Sequence, residues 1–170
     1  KLYPYGIPVD ESFYTSISKI EARNTVAEDF GWDIPLFNNW FLIMTGSMGF
    51  GNTQEIIDET IRQSLDGTEI IAVCGRNEEM LNRLKEENRY LPNIHPVGFT
   101  DRIPLLMDAC DVLFTKPGGI SSTEAMSKHI PMIHTAPIPG CETRNAEFFH
   151  YHGMSYSCID TVQQVKTALR

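Results

Sequence analysis

The chain has 170 residues, which is enough for one domain with a sizeable core. Its formal net charge of −8, without any run of Lys or Arg, excludes a protein that binds nucleic acid through the phosphate backbone. No apolar stretch reaches the ~18 residues that a membrane span needs.

The cysteines and histidines form no metal or disulfide pattern. The four cysteines are widely scattered and lack CxxC pairs, which is typical of reduced thiols in a cytoplasmic protein. The five histidines show no metal-ligand spacing either. We therefore expect a cytoplasmic location and no bound metal.

The chain opens with a segment punctuated by prolines through Pro8. This composition predicts a linker over residues 1–15, outside the core, followed by a folded domain over 16–170. Ser18 and Glu21 have capping-box spacing and Gly31 is a typical stop, so a first helix is predicted over 19–30.

From residue 35 onward, short apolar runs alternate with segments of helical periodicity. The predicted strands span 41–45, 69–74, 94–97, 111–115, 131–135 and 154–159. The predicted helices span 53–65, 78–88 with Asn77 as its cap, 102–109, 120–129 and 142–152, with a last one from Thr161.

Six successive βα units predict an α/β fold with a doubly wound, six-stranded parallel sheet of the Rossmann-like kind. Right-handed crossovers favour the strand order 3-2-1-4-5-6. In that order, ligands bind beyond the carboxyl ends of the first and fourth strands, where the order reverses.

Glycine-rich loops follow both of those strands, at 46–51 and 116–119. Glycines allow main-chain N–H groups to approach a ligand closely, and a helix N-terminus attracts an anion such as a phosphate. Glu124, one turn into the next helix, is suited to bind sugar hydroxyls. The competing interpretation is a capping box formed by Ser121 and Glu124, which needs no ligand.

The loop 46–51 is compatible with several kinds of site. Its glycine order differs from the dinucleotide fingerprint, and it lacks the lysine of a P-loop. The loop matches the pattern of a nucleophile elbow except for the first glycine of that pattern. A serine hydrolase with Ser47 as nucleophile and a histidine such as His150 as base therefore stays open.

Two further clusters follow the third and fifth strands. Phe99 could stack on a nucleobase while the main chain of Thr100 reads the edge of the base; the alternative is a core Phe followed by a helix cap at Asp101. Glu142 and Asn145 share one face of the next helix and could bind hydroxyls. Helix capping by an acidic first turn is the alternative there.

Together these segments resemble one family. The chain is similar to the C-terminal, donor-binding half of the glycosyltransferases that include monogalactosyldiacylglycerol synthases and processive diacylglycerol glucosyltransferases, with the bacterial peptidoglycan N-acetylglucosaminyltransferase as a more distant relative. Gly6-Ile7-Pro8-Val9 resembles the linker between the two halves. The other segments are Thr45-Gly46-Ser47-Met48-Gly49, Val73-Cys74-Gly75-Arg76-Asn77, Val97-Gly98-Phe99-Thr100-Asp101, Ala109-Cys110-Asp111-Val112, Thr115-Lys116-Pro117-Gly118-Gly119 and Ile138-Pro139-Gly140-Cys141-Glu142.

The resemblance implies a two-domain GT-B architecture and the transfer of galactose or glucose from a UDP-sugar to a lipid hydroxyl, that of diacylglycerol. The UDP-sugar is a substrate, and no cofactor is implied. By position, the diphosphate would be bound by Gly46, Ser47, Met48, Gly49, Gly118, Gly119, Ile120 and Ser121; the uracil by Phe99 and Thr100; the ribose by Glu124; and the hexose by Cys141, Glu142 and Asn145.

Two departures from the family pattern qualify these implications. Cys141 stands where the family has Gln, which leaves the identity of the hexose open. The family's N-terminal acceptor domain, which carries the catalytic base, has no counterpart in this sequence. We therefore expect a fragment that binds a UDP-sugar without transferring it, or a nucleotide-sugar module of a split enzyme. In the full-length protein, the acceptor domain would meet the cytoplasmic face of a membrane.

Overall fold

The computed structural model describes residues 6–45, 52–63 and 67–170. Six parallel strands form one sheet in the order β3-β2-β1-β4-β5-β6, which confirms the predicted topology and fold class. The strands are β1 (Asn39–Met44), β2 (Thr68–Gly75), β3 (Ile94–Gly98), β4 (Val112–Thr115), β5 (Met132–His134) and β6 (Ser155–Ser157).

The helices also correspond to the predicted ones, with ends that shift by one or two residues. Ser18 accepts a hydrogen bond from the N–H of Glu21 at 3.3 Å, and Gly31 ends the first helix in the left-handed region with φ 66°. Asn77 caps α3 as predicted. The helices are α1 (Lys19–Phe30), α2 (Thr53–Gln63), α3 (Glu78–Glu87), α4 (Ile103–Ala109), α5 (Gly119–Ser127), α6 (Cys141–Tyr151) and α7 (Thr161–Ala168).

The sheet is covered on both faces because its central strands carry apolar side chains on both sides. In β1, Trp40 and Leu42 face a core formed with α1, α4, α5 and α6. Phe41 and Ile43 face the opposite core, formed with α2, α3 and α7. Such two-sided burial is the pattern expected of a parallel sheet. None of the helices within the described ranges is long and apolar enough to cross a membrane.

Part of the opening segment packs on the domain, contrary to the prediction that it lies outside the core. Phe13, in a 3₁₀ turn at Glu11–Phe13, is buried in the core that α1 and α5 share, and Val9 packs beside it. The carbonyl of Thr15 accepts a hydrogen bond from Lys128 Nζ at 2.5 Å. Phe13 therefore belongs to the core in spite of the proline-rich composition of this segment. The boundary of the linker at residue 15 stays a prediction.

Candidate functional site

The carboxyl ends of β1 and β4 lie side by side, as the strand order requires. Met44 pairs with Thr115, and the Thr115 hydroxyl donates to the Met44 carbonyl at 2.9 Å. The hydroxyls of Thr45 and Thr53 are 2.6 Å apart in a buried contact that joins the end of β1 to the start of α2. The residues between them, including the predicted diphosphate ligands Gly46, Ser47, Met48 and Gly49, lie outside the described residues.

The helix after β4 begins earlier than predicted. Gly118 is its N-cap in an extended conformation (φ −70°, ψ 141°), and no side chain caps it. Ser121 already lies in the first turn, so the capping box of Ser121 and Glu124 is wrong. The first N–H groups of a helix have no partner within it. Those of Gly119, Ile120 and Ser121 have no acceptor among the described residues, and we treat them as free donors at the switch point.

Glu124 lies on the second turn of α5. Its side chain is partly buried and accepts no hydrogen bond from any residue in the described ranges. Burial raises the pKa of the Glu124 carboxyl above its ordinary value of 4.5. A desolvated carboxylate without a donor is destabilising in the free protein, and it is available to accept hydrogen bonds from a ligand.

Replacing Glu124 with Gln is expected to stabilise the free protein at neutral pH. Because the folded pKa is raised, the wild type is favoured below pH 4.5 and loses stability as the pH rises through the folded value. The variant lacks this loss, so its melting temperature should exceed that of the wild type at pH 7 and approach it near pH 4. Glu147→Gln, at an exposed position on α6, is the control. Equal shifts for both variants would contradict the prediction.

The loop after β5 and the start of α6 meet the loop after β4. Glu142 Oε2 accepts a hydrogen bond from the Ile138 N–H at 2.6 Å, so this carboxylate does cap its own loop. Asn145 Nδ2 donates to the Pro117 carbonyl at 3.0 Å and ties α6 to the turn before α5. Each side chain keeps one oxygen without a partner among the described residues. The side chain of Cys141 lies outside what the structure describes.

Phe99 is not a core residue, so the alternative considered for it is wrong. Its side chain is 70% exposed directly after β3, and the guanidinium carbon of Arg76 lies 4.9 Å from the centre of its ring. Asp101 does not cap α4 either. Arg102 is the N-cap residue, and its N–H donates to the Thr100 hydroxyl at 3.1 Å.

A buried histidine behind α5 was not predicted as part of the site. His134, at the carboxyl end of β5, has Nε2 3.1 Å from the Ser122 hydroxyl on α5. Its ring is fully buried and burial lowers the pKa of His134 to about 4. The neutral ring therefore supports the helix that presents the free N–H groups. The only signal in the sequence was a histidine within an otherwise apolar strand.

Replacing His134 with Asn is expected to make the free energy of unfolding less dependent on pH below the ordinary histidine value of 6.5. The depressed folded pKa means that stability is complete above the ordinary value of 6.5 and is lost as the pH falls toward about 4. Urea unfolding of wild type and variant at several pH values across this window measures the difference. His129→Asn is the control, because His129 is exposed with φ 56°, a conformation that Asn tolerates. An unchanged slope in His134→Asn would contradict the role assigned to burial.

The structure describes the base named for the serine hydrolase hypothesis but not its nucleophile. His150 lies near the C-terminal end of α6, where Nδ1 is 3.2 Å from the Ser155 carbonyl at the start of β6, at the amino edge of the sheet. Ser47 lies outside the described residues, so the pairing of His150 with Ser47 stays a prediction.

Curated relatives match most of this chain. A processive diacylglycerol β-glucosyltransferase of Bacillus licheniformis is 34% identical over 152 residues, which are 87% of this chain and 37% of that protein. The protein of the same name from Staphylococcus carnosus is 32% identical over 123 residues, 72% of this chain and 31% of its own length. The chain thus spans about a third of the length of these relatives. They confirm the family resemblance inferred from the motifs. No protein-family profile matches the chain.

Solved structures match almost the whole chain at low sequence identity. WaaG, a glycosyltransferase involved in lipopolysaccharide biosynthesis, superposes with a TM-score of 0.70 at 19% identity, covering 96% of this chain and 45% of WaaG. Anabaena HepE, in complex with UDP and glucose, superposes with a TM-score of 0.68 at 19% identity, covering 95% of this chain and 45% of HepE. These likenesses confirm the predicted fold, which forms about half of each glycosyltransferase.

Proposed function

We propose that this chain is the donor-binding part of a hexosyltransferase that transfers galactose or glucose from a UDP-sugar to the hydroxyl of diacylglycerol. One observation carries the proposal. At the point where the strand order reverses, no side chain of the described residues caps α5, and one turn beyond its first N–H groups lies a half-buried carboxylate that has no hydrogen-bond partner in that part of the chain. This pairing suits a phosphate linked to a sugar with free hydroxyls.

The start of α5 would bind the diphosphate. The N–H groups of Gly119, Ile120 and Ser121 point along the axis of the helix, whose N-terminus carries a partial positive charge. When the bond between the sugar and the diphosphate breaks, negative charge grows on the departing UDP. Donors already aimed at those oxygens stabilise that charge without reorganising, which lowers the barrier to transfer.

The remaining groups at this edge would bind the other parts of the donor. Glu124 would accept hydrogen bonds from the ribose hydroxyls. Phe99 would stack on the uracil, with Thr100 at the edge of the base. Glu142 and Asn145, each with one oxygen that has no partner among the described residues, would contact the hexose. These roles agree with the exposure of Phe99 and with the hydrogen bonds that occupy only one polar atom of Glu142 and of Asn145.

We assign the acceptor and the membrane to regions other than the described residues. The relatives named as diacylglycerol glucosyltransferases are about three times longer than this chain. We propose that lipid binding and the catalytic base belong to the part of such a protein that this chain does not match. The full-length protein would then work at the cytoplasmic face of a membrane. The 170 residues alone are expected to bind the donor without transferring it.

Calorimetric titration of the 170-residue chain with UDP tests the proposal. Binding in the millimolar range or tighter is expected, and UDP-glucose and UDP-galactose titrated in the same way would rank the two donors. Absence of binding at millimolar UDP would overturn the donor-site assignment. Glycosylation of diacylglycerol vesicles by this chain alone would overturn the assignment of catalysis to another segment.

Replacing Gly119 with Ala is expected to weaken UDP binding by about tenfold, because the added methyl group would keep the phosphate from approaching the N–H groups at the start of α5 closely enough for a good hydrogen bond. A Cβ at Gly119 would lie 2.8 Å from the Cδ1 of Ile7, the far end of a flexible side chain. Stability should therefore change little. Titration of the Gly119→Ala and Ile7→Ala/Gly119→Ala variants separates two causes. Restored affinity in the double variant would mean that Ile7, and not the phosphate, is what the methyl group disturbs.

A further inference from the structure

The turns after β2 and β3 place an arginine against an exposed aromatic ring. Gly75 pairs with Gly98 in the parallel register, so the next residues of the two strands, Arg76 and Phe99, lie side by side. The guanidinium carbon of Arg76 lies 4.9 Å from the centre of the Phe99 ring. This pair stands on the same edge of the sheet as the start of α5, two strands from the switch point.

Two glycines fix the geometry of the pair. The register shifts between Val73 and Gly75, and Gly75 has a φ of 57°, a left-handed conformation that turns the chain sharply out of β2. At Gly98, a Cβ would lie 3.2 Å from the Cδ2 of Leu81 on α3. The two glycines therefore shape the turns from which Arg76 and Phe99 project.

No acidic partner in the described part of the chain explains the position of the arginine. No carboxylate in the described ranges binds the Arg76 guanidinium, although the chain has 22 acidic residues against 14 basic ones. An exposed guanidinium over an exposed ring gains only a modest cation–π attraction in water. Guanidinium planes and aromatic rings are, however, the groups on which nucleobases stack in proteins.

We propose that Arg76 is a positioning residue for the nucleobase of the donor. Its guanidinium covers one face of the Phe99 ring and holds the ring in place, which leaves the other face open for the uracil to stack on. The inference rests on the proposed function, because it takes a uridine nucleotide as the ligand. It adds a residue to which neither the sequence motifs nor the proposed site assigns a role.

A positioning role predicts a specific pattern of affinities. Arg76→Ala should weaken the binding of uridine and of UDP by the same factor, about three- to tenfold, since only the base contact is affected. Arg76→Lys should restore part of the loss, because an ammonium keeps the charge but not the flat stacking surface. In a Phe99→Ala background, Arg76→Ala should have no further effect, because the ring that it supports is absent.

NMR titrations with uridine and with UDP, carried out on each variant, test this pattern. Arg83→Ala, at an exposed position on α3, is the matched control and should bind both ligands as the wild type does. Unchanged UDP affinity in Arg76→Ala would overturn the inference, as would a loss confined to UDP, which would indicate a phosphate contact. An equal loss in the Phe99→Ala background would also overturn it. If the wild type itself does not bind UDP, the proposed function fails, and this inference with it.

Discussion

Glu124→Ala is expected to lower the affinity for UDP by about 10- to 100-fold, because a charged acceptor of ribose hydroxyls contributes roughly 1.5–3 kcal/mol per hydrogen bond. The carboxylate is already partly desolvated in the free protein, as its raised pKa indicates. Little further desolvation is then needed when the ligand arrives. Calorimetric titration of wild type and variant with UDP measures the difference.

The ligand itself provides the control for this prediction. If Glu124 binds the ribose, UDP without its ribose hydroxyls should bind the wild type as weakly as UDP binds Glu124→Ala, and the variant should not distinguish the two ligands. Glu142→Ala should retain this discrimination, because its carboxylate binds the Ile138 N–H at the neighbouring loop. A Glu124→Ala variant that still prefers the ribose form would place the ribose elsewhere.

The topology and the edge that carries the site could be predicted because they depend on local patterns. Apolar runs of strand length alternate with helical periodicity, and Ser18 and Asn77 cap their helices through contacts within three residues along the chain. Once six βα units are recognised, the handedness of crossovers fixes the strand order, and the order fixes where a ligand binds. No contact between distant residues is needed for that reasoning.

The capping box that the structure contradicts, and two contacts that the sequence did not predict, depend on packing across the sheet or on the exact course of a turn. Ser121 and Glu124 have capping-box spacing, but Gly118 is the extended N-cap and the helix starts at Gly119, two residues before Ser121. His134 and Ser122 meet only because β5 lies behind α5. The contact between Arg76 and Phe99 follows from the register of β2 with β3. A sequence pattern does not encode such registers, since they are set by packing of the whole sheet.

Lys128→Met is expected to destabilise the fold by about 3–5 kcal/mol, the usual effect of removing one partner of a buried ion pair. Lys128 is the C-cap residue of α5, and its Nζ lies 2.8 Å from Asp108 Oδ2 on α4. The two side chains are only 2% and 6% exposed, so Asp108 would be left as an uncompensated buried charge. The same Nζ binds the Thr15 carbonyl, so the opening segment should loosen as well. Urea unfolding measures the first effect and proteolysis at the opening segment measures the second.

A second variant separates the cost of the lone charge from the value of the pair. Lys128→Met combined with Asp108→Leu removes both charges and fills similar space, so most of the lost stability should return. The contact with Thr15 does not return, because Met has no donor. The double variant should therefore be nearly as stable as the wild type in urea yet remain sensitive to protease near Thr15. The opposite outcome is that the double variant loses as much stability as the two single variants added together. In that case the attraction within the pair, and not the cost of a lone buried charge, stabilises the C-terminal end of α5.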